Sequence, residues 1–236
     1  MKPFQFKQFT IQQDRCAMKV GTDGVLLGAW TSLETKPNSI LDIGAGTGLI
    51  ALQMAQRSIA EVIDAIELDE DAYEQCVENF EASPWADRLF CYHAGLDEFV
   101  DEIEDTYDLI VSNPPFYSEE VTSGTEARDM ARQNTSLPFD ELLEGVSQLL
   151  SPLGIFSVVI PFKEENQFVD MASALGLHPR RSLRVRGNPN APFKRSLLEF
   201  GLGESKLKIE ELTIEQGRHE YTQEYIALTN PFYLKM

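Results

Sequence analysis

The chain has 236 residues, 43% hydrophobic and 25% charged, with 15 glycines, 12 prolines and a formal net charge of -18. This profile excludes a disordered or low-complexity chain, and the length suits one large domain whose core needs no disulfide or metal. Cys16, Cys76 and Cys91 have no CxxC spacing, so they read as reduced thiols rather than a zinc site or a disulfide framework. No stretch approaches the roughly 18 apolar residues of a membrane span, and the polar, alternating start has no signal-peptide run. The expectation is a cytoplasmic monomer, with no membrane association and no metal.

Taken in chain order, Phe4, Phe6 and Phe9 begin an end that is expected to fold over a cleft as a short strand or cover. An apolar run at 39–43 predicts a strand, followed by a glycine-rich turn and an amphipathic helix over 49–56. Further strands are predicted at 62–67, 89–93 and 107–112, with a helix over 70–81 between the first two. Residues 138–150 read as a helix with Pro138 near its first turn. A strand at 154–160 is followed by a helix over 164–175, stopped by Gly176. Residues 183–186 and 196–201 read as a closing antiparallel pair around an Asn-Pro-Asn-Ala-Pro turn. Strands alternating with helices predict an α/β fold, doubly wound on a mostly parallel sheet. Between Phe116 and Leu137 lie about twenty polar residues with no strand signal, the length of a functional lid or an insert.

Charge is unevenly spread. From Glu61 to Glu120 the only Lys or Arg is Arg88, whereas Arg180, Arg181, Arg184, Arg186, Lys194 and Arg195 fall in a stretch without Asp or Glu. The acidic stretch reads as a solvated surface. The basic one reads either as a solvated strand face or as a polyanion footprint. Arg128 and Arg132, one helical turn apart in the long polar segment, are either surface ion-pair residues or contacts to substrate phosphates.

Leu41-Asp-Ile-Gly-Ala-Gly-Thr-Gly48 follows a predicted strand and opens a predicted helix. Gly44, Gly46 and Gly48 allow a tight turn and close approach of a ligand, with helix-start N–H groups nearby. Asp42 is unhelpful beside a pyrophosphate but suits a ligand with an ammonium group, as in S-adenosylmethionine. Glu67, ending the next strand, can accept from both hydroxyls of a ribose, as acids in dinucleotide sites also do. Ser112-Asn-Pro-Pro-Phe116 ends the fourth strand, on the rim where open α/β sheets bind ligands. Pro114 and Pro115 fix the backbone and remove two donors. The Asn113 side-chain carbonyl and the Pro114 main-chain carbonyl then make paired acceptors for an –NH2 group. Phe116 supplies a face on which a base can stack.

Together these residues resemble the class I S-adenosylmethionine-dependent methyltransferases that act on exocyclic amino groups. Asp14-Arg-Cys-Ala-Met-Lys-Val-Gly-Thr-Asp-Gly-Val-Leu-Leu-Gly-Ala-Trp30 resembles the N-terminal signature of the bacterial tRNA(Val) adenine-N(6) methyltransferases. Ser83-Pro-Trp-Ala86, Ala127-Arg-Asp-Met-Ala-Arg132 and the stretch from Tyr225 to the end match that family as well. The resemblance implies a Rossmann-like, seven-stranded sheet, with residues 1–30 as a cover and motif on a methyltransferase domain over 31–236. It implies S-adenosylmethionine as cofactor and the adenine 3′ of the tRNA(Val) anticodon as target. Lys19, Gly21, Thr22 and Asp23 would close over the methionine moiety or the target base.

One position departs from related enzymes: Gly95 stands where an acid reads the cofactor adenine, so either Asp97 substitutes or backbone groups alone serve. The arginine-rich segment would receive the tRNA, and neutralising Arg184 and Arg186 is expected to weaken binding and flatten its salt dependence. Other readings are a ribosomal RNA guanine-N(2) methyltransferase, a protein glutamine methyltransferase, and a non-catalytic RNA-binding or scaffold protein retaining the fold.

Overall fold

The computed structural model describes residues 2–114 and 137–235. Pro115, Phe116, Arg128 and Arg132, with the rest of the long polar segment, lie outside the described residues. The chain opens with a small antiparallel pair, β1 (Phe4–Gln5) and β2 (Thr10–Ile11). Helix α1 (Thr22–Trp30) comes next and was not predicted from periodicity, because Gly24–Trp30 are buried all round it. A helix without a polar face carries no amphipathic signal.

The parallel core follows the predicted alternation through β3 (Ser39–Ile43), α2 (Leu49–Arg57), β4 (Val62–Glu67), α3 (Glu70–Glu81), β5 (Leu89–His93) and β6 (Tyr107–Ser112), and adds α4 (Leu96–Glu102), a helix not predicted, between the last two strands. After the segment left undescribed come α5 (Phe139–Leu149), β7 (Leu150–Pro161), a 3-10 turn (Phe162–Glu164) and α6 (Glu165–Ala174). The chain then runs through β8 (Leu177–Arg186), β9 (Arg195–Leu202), β10 (Lys208–Thr213), β11 (Glu215–Gly217), β12 (Glu220–Tyr221) and α7 (Gln223–Thr229).

The central sheet has eight strands in the order β10-β8-β9-β7-β6-β3-β4-β5, and only β9 runs against the others. The strand beyond the expected seven is β10, which pairs parallel to β8 at the sheet edge. Only Leu212 of its six residues is buried, so it has no apolar run to betray it. Side chains alternate between two cores as the period of a strand requires. Ile40, Ile63, Val111 and Val159 face α1, α2 and α7, whereas Leu41, Ile43, Ile110 and Val158 face α4, α5 and α6. Strand order runs one way from β3 to β5 and the other way from β6 to β7. This places the topological switch point, and its crevice, between the carboxyl ends of β3 and β6.

The N-terminal residues belong to the first core. Phe6 bridges to Tyr233 near the other chain end, and Phe6 and Phe9 are buried with Ile11. From Gln12 the chain runs as a strap along α3. Asn79 accepts from Gln12 N at 2.8 Å and donates to Gln12 O at 3.0 Å and Thr47 O at 2.9 Å. Gln75 accepts from Arg15 N at 3.0 Å and Cys16 N at 3.3 Å, and donates to Asp14 at 2.9 Å. Arg15 ion-pairs with Glu74 at 2.7 Å and with Glu78. The strap therefore ties the chain end to α3 and delivers α1 to the crevice.

Candidate active site

The glycine loop closes one wall of the crevice. Gly44 N and Ala45 N donate to Ile66 O at 3.0 and 3.1 Å, and Gly46 N donates to Glu67 Oε2 at 2.8 Å. The other Glu67 oxygen accepts from Asp69 N at 2.9 Å, so two backbone donors fix the carboxylate. Gly44, Gly46 and Gly48 have φ of +71, +56 and +77°, a region that side-chain-bearing residues adopt only under strain. They do not share a role. A Cβ on Gly44 or Gly46 would meet nothing within 4 Å, leaving an open cradle. A Cβ on Gly48 would lie 2.5 Å from Phe80 Cε1 and 2.8 Å from Cys76 Sγ. Gly48 is thus required for packing against α3, a constraint that Gly44 and Gly46 do not share.

Asp42 is fully buried, and its Oδ2 accepts from Ala51 N at 3.0 Å in the first turn of α2. Its Oδ1 has no hydrogen-bond partner, and burial pushes the carboxyl up to about 7. Through the Ala51 bond Asp42 braces the loop against α2.

Opposite stands Asn113, held by Ser112, whose hydroxyl donates to Ile43 O at 2.9 Å across the switch point. The Asn113 amide nitrogen lies 3.8 Å from Met18 Sδ, and its Oδ1 is shielded from water with no hydrogen-bond partner among the described residues. Pro114, next to it, is buried. A Cβ on Gly24 would lie 3.8 Å from Asn113 Nδ2 and 3.1 Å from Leu49 Cδ2, so that glycine lets α1 approach both walls of the crevice. Gly21 precedes α1, Thr22 and Asp23 form its first turn, and Lys19 is exposed just before it. Asp23 ion-pairs with Arg195 at 2.8 Å, which ties α1 to β9.

Beyond β5, Gly95 precedes α4 and Asp97 lies in its first turn. Asp97 Oδ1 is 2.7 Å from the point that a Gly95 Cβ would occupy, so its carboxylate fills the place of the missing side chain. Leu68, 55% exposed and directly after Glu67, has its Cδ1 4.0 Å from that same point. The sequence reading passed over Leu68 and Met18; an apolar residue directly after a strand-end acid was the available signal for the former.

The basic segment is largely compensated. Arg181 bonds Glu199, which is 2% exposed, at 3.0 Å and stacks on Trp30 at 4.4 Å. Arg184 pairs with Glu165 at 2.7 Å, and Arg186 with Glu211 at 3.5 Å and Thr213 at 2.9 Å. Arg180 donates to Leu202 O at 3.2 Å. Buried acids need cationic partners, and the run of like charge along the sequence hid partners that are distant in the chain. Lys194 is exposed and has no ion-pair partner among the described residues. No cluster of three or more His, Cys, Asp or Glu residues able to hold a metal occurs among the described residues, and no described helix is long and apolar enough to cross a membrane.

Comparison with known proteins agrees with this geometry. Residues 24–160 match the methyltransferase small domain family. The chain is 61% identical, over 99% of its length and 100% of the relative's, to a tRNA1(Val) (adenine(37)-N6)-methyltransferase of Flavobacterium johnsoniae. It is 50% identical, over 99% of its length and 98% of the relative's, to one of Bacteroides fragilis. Among solved structures, a predicted O-methyltransferase of Agrobacterium tumefaciens matches with a TM-score of 0.69 at 18% identity, over 89% of this chain and 96% of that one, which shows the shared fold. By these matches the chain belongs to the methyltransferase small domain family and, within it, to the tRNA1(Val) (adenine(37)-N6)-methyltransferases.

Proposed function

We propose that this protein methylates the exocyclic N6 of adenine 37 in tRNA1(Val), using S-adenosylmethionine. The observation that carries the reading is the shielded, unpartnered Asn113 Oδ1 at the carboxyl end of β6. A buried acceptor without a donor is costly unless a ligand supplies one. An adenine amino group brings two N–H donors, one for Asn113 Oδ1 and one for the Pro114 carbonyl. Held there, the amino nitrogen directs its lone pair away from both carbonyls and towards the glycine cradle. Pro115 and Phe116 are assigned on sequence alone, the one to stiffening the motif and the other to stacking on the base. A planar amino group held by two acceptors needs no strong base for an in-line displacement, because orientation carries much of the barrier lowering.

The residues present fit the cofactor. Gly44 and Gly46 leave room for it, Glu67 is pre-oriented for ribose hydroxyls, and Asp97 offers an acceptor for the adenine amino group, with Leu68 as an apolar face beside it. Lys19, Gly21, Thr22 and Asp23 border the methionine side from α1. S-adenosylmethionine, when bound, would supply an activated methyl group; its S–C bond breaks as the N–C bond forms, and the methylated amine then releases one proton to solvent. Residues 1–30 serve as cover and motif for the catalytic unit over 31–236. The basic residues from Arg180 to Arg195 are assigned to the RNA-facing side, and Arg128 and Arg132 keep the same assignment on sequence alone. The enzyme works in the cytoplasm as a monomer without metal.

The test is methyl transfer from labelled S-adenosylmethionine to unmodified tRNA1(Val), with ribosomal RNA and a glutamine-bearing protein in parallel. Label in the tRNA alone supports the reading; label only in guanine or in protein overturns it. Asn113→Ala is expected to lower kcat by roughly 10²-fold or more, the scale for removing one oriented polar group, while cofactor affinity holds. Equal collapse of cofactor binding contradicts the role given to Asn113.

A further inference from the structure

Two aromatic rings at the rim of the crevice have no part in either core. Phe162 follows the carboxyl end of β7, and Phe193 sits just before β9 in the turn that returns from β8. Their ring centroids are 5.4 Å apart, and both side chains are half-buried. Neither packs against the two hydrophobic clusters. Instead each ring is backed by a guanidinium: Arg184 lies 5.4 Å from the Phe162 centroid, and Arg186 lies 5.0 Å from the Phe193 centroid. Phe162 N donates to Lys194 O at 3.1 Å, and Lys194 N donates to Val185 O at 2.8 Å, so backbone bonds fix the arrangement. The same rim carries Lys194, exposed and without an ion-pair partner among the described residues, and Lys163, exposed and 3.8 Å from Glu164.

The register locates this pair relative to the acceptor motif. Ser112 lies opposite Val158 and Pro161 opposite Arg195. Phe162 therefore lies three residues beyond the level of Asn113 on the neighbouring strand, about 10 Å at the rise of a strand. Stacked bases are about 3.4 Å apart along a strand, so a base seated in the acceptor motif leaves a neighbour within three positions in reach of the rings. Aromatic faces backed by arginine and rimmed by lysine suit an unpaired nucleotide: a π-face for the base and cations for its phosphate. A protein segment would need an acidic residue placed to meet the lysines, whereas every nucleotide carries both a π-face and a phosphate. A membrane is disfavoured by only two rings beside so acidic a chain.

We propose that Phe162 and Phe193 form a stacking subsite for an unpaired base flanking the target adenine. This rests on the reading of RNA as substrate. Arg184 and Arg186, paired with Glu165 and Glu211, act there by stiffening the rings rather than by gripping phosphate.

The experiment compares wild type with the double variant Phe162→Leu/Phe193→Leu, which keeps apolar volume but removes both π-faces, and with Phe162→Tyr/Phe193→Tyr, which keeps them. KM for tRNA is expected to rise roughly ten-fold or more in the leucine variant, from the loss of base stacking, with kcat and cofactor affinity holding and the tyrosine variant near wild type. In parallel, 2-aminopurine is placed in turn at each anticodon-loop position beside the target. Its fluorescence should be quenched at one position by wild type and the tyrosine variant, not by the leucine variant. An unchanged KM, or quenching that ignores the rings, overturns the subsite while leaving the RNA reading intact. A wild type that methylates protein and no RNA overturns both.

Discussion

At the scale of single residues, similar glycines in one loop answer to different constraints. Gly46→Ala puts a Cβ into open cradle space at positive φ. The expected stability loss is about 1 kcal/mol from backbone strain, with a much larger loss in affinity for the cofactor. Gly48→Ala adds collision with Phe80 and Cys76 to the same strain, for a loss of about 3 kcal/mol. Calorimetric unfolding beside cofactor titration separates the two; equal effects on both quantities from both variants contradict the division of roles.

Asp42 gives a prediction with a defined sign. Its carboxyl is pushed up to about 7 by burial, chiefly desolvation offset in part by the bond from Ala51. A carboxyl with a raised folded-state value binds protons more readily when native than when unfolded. Its contribution to stability therefore falls as pH rises from about 4 to 7 and is least favourable above that range. Asp42→Asn should flatten that slope in denaturant-derived stability. A slope that is unchanged, or steeper, means Asp42 does not carry it.

At the scale of elements, the strap and the β8–β9 arm each hang on buried polar groups. Asn79 is 1% exposed and satisfies both backbone groups of Gln12. Asn79→Ala should leave those groups unpaired, cost about 2 kcal/mol, and open the chain at Arg15 and Lys19 to trypsin. Unaltered cleavage rates would show that the strap is held elsewhere. In the arm, the Arg184 side chain meets Glu165, which also accepts from Ser196. Arg184→Gln should lower thermal stability by leaving that buried acid poorly matched. Lys194→Gln should instead reduce the slope of log affinity for RNA against log salt by about 0.7, the value for one phosphate contact on a single strand. This reverses the sequence expectation for Arg184, and a flattened slope in the arginine variant alone would restore it.

At the scale of the whole molecule, what was legible in the sequence was what local pattern determines. The strands β3 to β6 have apolar runs bounded by turns, and α3 carries the N-cap Asp69, whose side chain accepts from Ala72 N at 2.9 Å. Helix α1 and strand β10 escaped for opposite reasons, one buried on every side and the other mostly exposed. Glu67 and Asn113 could be picked out as candidates because the α/β topology brings strand ends to one rim. The ion pairs of Arg181, Arg184 and Arg195 could not, since their partners come from other elements. Nor could the separate duties of Gly44 and Gly48, which depend on what lies across from each. Net charge of -18 also takes meaning from arrangement. Helix α3 presents Glu70, Asp71, Glu74, Glu78 and Glu81, and since Arg15 pairs with only Glu74 and Glu78 the flank keeps a net negative charge that disfavours phosphate.

The most direct test of the account is nuclease mapping by mass spectrometry of tRNA1(Val) transcript after reaction with wild type and with Asn113→Ala. The account predicts one added methyl at N6 of adenine 37 with wild type, and almost none with the variant although it still binds the cofactor. A methyl at another nucleotide, or full modification by the variant, contradicts the assignment of Asn113 and the Pro114 carbonyl as the groups that hold the target amine.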